Sequence, residues 1–144
     1  MLKILFLCTG NSCRSQMAEG WTRHLKSGEI EAYSAGTAPG GVDPLAIRAM
    51  REAGVDISGH KSKSVGDLPT DIQFDYVITL CGNAQENCPF FPGAARKIHA
   101  GFEDPPLLAR EATDEEEALK HYRRIRDEIR DFVADLPSSA ARAE

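Results

Sequence analysis

Two short apolar runs that each end on a cysteine constrain this chain more than any other feature. Ile4-Leu5-Phe6-Leu7 leads straight into Cys8, and Val77-Ile78-Thr79-Leu80 leads into Cys81. Continuous apolar runs of this length, bounded by turn formers, read as strands buried on both faces. Helical spacing separates them, and strands alternating with helices define an α/β fold: a parallel sheet flanked by helices. Four strands are predicted, over residues 2–8, 30–35, 74–80 and, more weakly, 95–99. Ligands of such sheets bind beyond the C-terminal ends of the strands, where Cys8 and Cys81 both fall.

The remaining elements follow from punctuation and periodicity. Residues 15–27 read as a helix with Met17, Trp21 and Leu25 on its apolar stripe. Thr37 to Asp43 holds Pro39, Gly40 and Gly41 and reads as a loop; Pro44 opens the next helix and Gly54 closes it. His60 to Gly66 is polar and mostly loop. Thr113 and Glu116 form a capping box. Behind them, Leu119, Tyr122, Ile125, Ile129, Phe132, Val133 and Leu136 line the buried face of a long helix. Residues 1–136 are expected to form a single domain and 137–144 a frayed tail.

Composition narrows the class. The 144 residues are 42% hydrophobic and 27% charged, ordinary for one folded domain. A net charge of −5 without a Lys/Arg cluster argues against nucleic-acid binding. The longest wholly apolar run, Ile4 to Cys8, is too short for a membrane span. The N-terminal stretch lacks the charged segment and cleavage site of an export signal, so the expected location is the cytoplasm. Four cysteines in such a chain point to chemistry or metal binding more than to structural disulfides.

The segment Cys8-Thr9-Gly10-Asn11-Ser12-Cys13-Arg14-Ser15 joins the first strand to the first helix. Backbone N–H groups at a helix start attract anions, and Arg14 adds a planar cationic fork suited to tetrahedral oxyanions. The same field favours a thiolate, the reactive form of cysteine. One loop therefore offers an anion cradle with a nucleophile beneath it. The plainer alternative is a buried structural cysteine after a strand.

Cys81 and Cys88 form a second group. Seven residues at helical rise would set them roughly 10 Å apart, whereas a disulfide needs Cα atoms about 4.4–6.8 Å apart. Joining them requires Gly82-Asn83-Ala84-Gln85-Glu86-Asn87 to unwind or loop; otherwise they are two unrelated cysteines. In Glu103-Asp104-Pro105-Pro106, Pro105 keeps Asp104 out of helical conformation, and a carboxylic acid near the cradle could protonate a leaving oxygen. His24, His60, His99 and His121 are scattered. A four-cysteine zinc site would place Cys8 and Cys13 inside the anion cradle and is disfavoured, so no metal is assigned.

Cys8 to Ser15, with Gln16-Met17-Ala18-Glu19 behind it, resembles the loop of low-molecular-weight tyrosine phosphatases. It is more similar still to that of the thioredoxin-coupled arsenate reductases, which share the phosphatase fold. Tyr33-Ser34-Ala35-Gly36, Ala53-Gly54-Val55-Asp56-Ile57-Ser58, Val77-Ile78-Thr79-Leu80-Cys81, Cys88-Pro89 and Gly101-Phe102-Glu103-Asp104-Pro105 extend the match to the last helix.

The resemblance implies an arsenate reductase in which Cys8, Arg14, Cys81, Cys88 and Asp104 are catalytic and residues 9–15 bind the oxyanion. Asn11 and Ser15 would steady the loop and thiolate. Cys8 attacks arsenate, Asp104 (not Glu103) protonates the departing oxygen, and the disulfide passes from Cys8–Cys81 to Cys81–Cys88, where thioredoxin reduces it. Phosphate and sulfate would compete, no cofactor is needed, and Cys13 has no required part. Some such reductases hold potassium at positions matching Asn11, Glu19 and Ser34; a fourth, acidic position is Lys63 here, whose ammonium is expected to replace the ion. A tyrosine phosphatase would need only Cys8, Arg14 and Asp104, plus aromatic walls that Thr37-Ala38-Pro39-Gly40-Gly41 does not supply. A non-catalytic oxyanion-binding or redox-sensing protein is the alternative from another class.

Overall fold

The computed structural model describes residues 1–86 and 95–143. The first apolar run forms β1 (Leu2–Cys8), and Ile4, Leu5, Phe6 and Leu7 are wholly buried in it. Each such side chain contributes about 1.5–3 kcal/mol relative to exposure, an upper bound. β2 (Ile30–Gly36), β3 (Tyr76–Thr79) and β4 (Arg96–His99) complete one sheet in the order β2-β1-β3-β4. All pairs are parallel, with Cys8 opposite Gly36 and Leu7 opposite Thr79. The chain leaves β1 for a neighbour on one side and returns to pair with it on the other. The C-terminal end of β1 is thus the topological switch point, where α/β sheets bind ligands.

Helices flank the sheet: α1 (Arg14–Leu25), α2 (Pro44–Glu52), α3 (Gly82–Glu86), α4 (Pro105–Leu108), α5 (Glu115–Ala134) and α6 (Ser138–Arg142). α5 packs on α1, α2 and α4. Met17 and Trp21 of α1 are buried, and the Trp21 indole donates to Arg126 O at 3.1 Å. Leu25, expected on the same stripe, is exposed in the last turn.

Two terminal features differ from the sequence reading. The cap of α5 sits one residue later than the Thr113–Glu116 box. Asp114 Oδ1 accepts from Glu117 N at 2.8 Å, and the Glu117 carboxylate reaches back to Thr113 N and Oγ1. Aspartate caps as well as threonine does, which frees Glu116 to pair with Arg123. The stretch after Leu136, expected to fray, instead forms α6. Ala140 is wholly buried, Ser139 Oγ donates to Phe132 O at 2.6 Å, and Arg142 pairs with Asp135.

Candidate active site

The loop between β1 and α1 has one organising property: every carbonyl from Cys8 to Cys13 accepts a hydrogen bond from elsewhere. Cys8 O is held by Thr37 N (3.2 Å), Thr9 O by Ala38 N (2.8 Å), Ser12 O by Asp43 N (2.9 Å) and Cys13 O by Met17 N (2.8 Å). Gly10 O accepts from both Gly40 N (3.0 Å) and Ser62 Oγ (2.7 Å), and Asn11 O from Gln16 Nε2 (3.1 Å). In a planar trans peptide the N–H points opposite the C=O. Six carbonyls engaged in this way turn the N–H groups of residues 9–14 to the opposite side of their peptide planes. The segment 37–43, legible in the sequence only as a loop, is the collar that does most of this work.

Asn11 carries the one strained backbone angle among the described non-glycine residues, φ 46°. Asparagine tolerates this left-handed conformation better than most residues. Its side chain is oriented without ambiguity. Lys63 N, which can only donate, meets Oδ1 at 3.0 Å, so the amide nitrogen faces Ser15 Oγ at 2.8 Å. Ser15 Oγ accepts there, which leaves its own hydrogen free to donate to a Cys8 thiolate across the 2.8 Å contact. Asn11 and Ser15 thus form a relay of donors ending on the sulfur. Gln16 extends it, donating to Asn11 Oδ1 and Lys61 O and accepting from His60 Nδ1 at 2.9 Å.

Arg14 opens α1. Its Nη1 donates to Phe102 O at 3.0 Å and its Nη2 lies 3.6 Å from Asp104 Oδ1. Its Nε is the one buried side-chain nitrogen or oxygen among the described residues without a partner, the kind of orphan that marks a functional donor. Asp104 precedes Pro105 at the start of α4, but its carboxylate does not cap the helix and turns to Arg14 instead. Glu103 pairs with Arg124 at 3.2 Å, on another face.

Cys81 lies directly after β3 and Leu80, at the head of α3. Its sulfur meets Thr9 Oγ1 at 3.3 Å and accepts from Ala84 N at 3.4 Å. Since Thr9 follows Cys8, the strand ends bring the two thiols to one edge. Cys8, Cys13 and Cys81 are all free and buried. Burial first, then the Asp43 charge, pushes the Cys13 thiol well above its ordinary pKa, so Cys13 stays protonated in a loop built to hold anions. Cys88 lies outside the described residues.

The positions matching a potassium site do not fit that ion. The buried Glu19 carboxylate accepts from Ser34 Oγ at 2.6 Å, pairs with Arg23 Nε at 3.1 Å, and has Lys63 Nζ at 3.8 Å. Two cationic side chains already balance its charge, and Asn11 Oδ1 is occupied by Lys63 N and Gln16. Beside the loop, a cleft of about 520 Å³ is walled by Thr37, Ala38, Val65 and Asn83, with no aromatic side chain among the described residues that line it.

The chain matches the low molecular weight phosphotyrosine protein phosphatase family over residues 3–143. It is 48% identical to an arsenate reductase of Halalkalibacterium halodurans over 126 residues, 88% of each chain. To an arsenate reductase of Bacillus subtilis it is 47% identical over 126 residues, again 88% of each. An arsenate reductase solved in a phosphate-binding state superposes with a TM-score of 0.74 at 32% identity, covering all of both chains. The four-stranded parallel sheet, with its loop of Cys8 to Ser15 at the switch point, has the fold of these relatives. The chain belongs to the low-molecular-weight phosphotyrosine protein phosphatase family.

Of the residues that sequence reasoning nominated, the fold sets Ser15 against Cys8, Asn11 against Ser15, Asp104 against Arg14, and Cys81 against Thr9 beside Cys8. Sequence reasoning missed Gln16, Ser62 and the collar donors, for which no local pattern exists.

Proposed function

We propose that this chain reduces arsenate to arsenite, using Cys8 as nucleophile and a relay through Cys81 and Cys88 that thioredoxin resets. The observation that carries the reading is the set of six outward-held carbonyls, which preorganises N–H donors and Arg14 for a tetrahedral oxyanion directly above a thiol that receives a hydroxyl hydrogen. Arsenate docks there, and the Cys8 thiolate forms an S–As bond. One arsenic oxygen leaves as water with a proton from Asp104. Cys81 then attacks Cys8 Sγ, and the S–As electron pair stays on arsenic. Arsenic(V) becomes arsenite as two thiols become the Cys8–Cys81 disulfide. Cys88 attacks Cys81, freeing the Cys8 thiolate, and a thioredoxin dithiol reduces the Cys81–Cys88 bond.

Support for the substrate comes from the relatives named arsenate reductases. Support for thioredoxin comes from a Corynebacterium glutamicum structure described as a thioredoxin-dependent arsenate reductase (TM-score 0.70, 28% identity, covering all of this chain and 64% of that one). The contacts of Thr9 and Ala84 with Cys81 suit a second thiol oriented beside the first. The test is arsenite release coupled to thioredoxin, thioredoxin reductase and NADPH. Turnover is expected, and Cys8→Ser is expected to abolish it. No turnover by the unsubstituted chain, or turnover by the variant, refutes the reading.

A further inference from the structure

Asp43 ends the collar and starts α2, and it bonds to three separate parts of the molecule. Its N–H holds Ser12 O at 2.9 Å, its Oδ1 accepts from Leu45 N at 2.9 Å, and its Oδ2 accepts from the Tyr122 hydroxyl at 2.6 Å. Tyr122 stands on α5 and is 3% exposed. The cap of α2 needs only Oδ1, so the second carboxylate oxygen and the tyrosine are left for another purpose.

That purpose is suggested by charge. A carboxylate is an unwelcome neighbour for an anion loop, and the field of Asp43 reaches Cys13 within that loop. Yet its backbone is needed there, because holding Ser12 O outward is what turns the Cys13 N–H inward. A buried tyrosine hydroxyl resolves the conflict. Burial and the Asp43 hydrogen bond push its pKa far above that of an ordinary phenol, so it is always a donor. It holds the carboxylate against α5 and takes up part of its charge.

We propose that Tyr122 and Asp43 are a positioning pair for oxyanion binding, Asp43 orienting the Ser12–Cys13 peptide while Tyr122 takes up its charge. The proposal rests on the reading of the loop as an anion cradle and is independent of the thiol relay.

The test reads anion binding without turnover: protection of Cys8 from iodoacetamide by inorganic phosphate, followed on the Cys8 peptide by mass spectrometry. Tyr122→Phe removes one hydroxyl and keeps the ring. It should weaken phosphate binding about tenfold, the scale of a lost hydrogen bond to a charged group. Adding Asp43→Asn removes the stranded charge while keeping the N–H and the Oδ1 cap. The double variant should return to within about threefold of the unsubstituted protein. A purely structural role predicts that two losses in one network bind no better than one. Unchanged affinity in Tyr122→Phe, or a loss that Asp43→Asn does not repair, overturns the proposal. Should Tyr122→Phe fail to fold, Asp43→Asn alone must bind phosphate at least as tightly as the unsubstituted chain; weaker binding overturns it. Absence of protection in the unsubstituted protein would instead overturn the cradle itself, and this pairing with it.

Discussion

Replacing Gly36 with alanine should cripple the loop without touching any side chain of the site. Gly36 ends β2 opposite Cys8, and its N–H donates to Lys63 O at 2.8 Å. A Cβ placed there would lie 2.6 Å from Thr9 O, 2.8 Å from Asn11 N and 3.0 Å from Gly10 C, all backbone atoms of the cradle. The nearest of these falls short of an ordinary 3.4 Å contact by about 0.8 Å. No flexible side chain can yield, and β2 cannot retreat without losing its pairing to β1 and its bond to Lys63. The loop must therefore move. Overpacking of this kind costs about 1–3 kcal/mol, which at roughly 2–4 °C per kcal/mol for a chain of this size lowers the melting midpoint by about 2–12 °C. Displacing reacting groups by close to 1 Å costs on the order of 100-fold in rate. Calorimetry and coupled arsenite release measure the two effects, with phosphate protection of Cys8 as the binding control. A Gly36→Ala protein that melts, binds phosphate and turns over like the unsubstituted chain would refute the account of the close approach.

Three further outcomes are expected. Cys81→Ser should stop thioredoxin-coupled turnover yet leave hydrolysis of a small aryl phosphate, whereas Cys13→Ser should keep most of both; equal losses in both assays would point to structural thiols. Asn11→Ala should lose about 1–2 kcal/mol of stability from the left-handed backbone alone, and Asn11→Gly less, while both weaken phosphate protection of Cys8 because Ser15 loses its orienting donor; equal melting midpoints would contradict the strain. His60 is held below its ordinary imidazole pKa of 6.5, chiefly by burial and against the opposing charge of Glu19. The unfolded chain thus binds that proton more readily, so the stability this group contributes is present above about pH 6.5 and lost as pH falls through the lower folded value. His60→Asn should flatten the decline in melting midpoint between pH 7.5 and about 5.5; an unchanged slope would sink the assignment.

Local pattern carried the strands, the long helix and the loop from Cys8 to Ser15, because each depends on residues adjacent in the chain. A run such as Ile4 to Cys8 needs no partner to declare itself a buried strand, and Cys8, Arg14 and Ser15 share one turn. The preference for Asp104 over Glu103 came with the family resemblance; the structure adds the cause, since Arg14 takes the first and Arg124 the second. The slip in the α5 cap and the ordered α6 turn on choices between near-equal local options, which packing decides. The cradle's working geometry was invisible beforehand. Ser62 reaches Gly10 across 52 positions, Tyr122 reaches Asp43 across 79, and Arg14 reaches Phe102 across 88. Serine, tyrosine and a backbone carbonyl announce nothing at such separations. Sequence determined which atoms could do the chemistry; only the tertiary structure decided which way the peptide groups around them face, because a carbonyl turns toward whatever donor the fold brings to it.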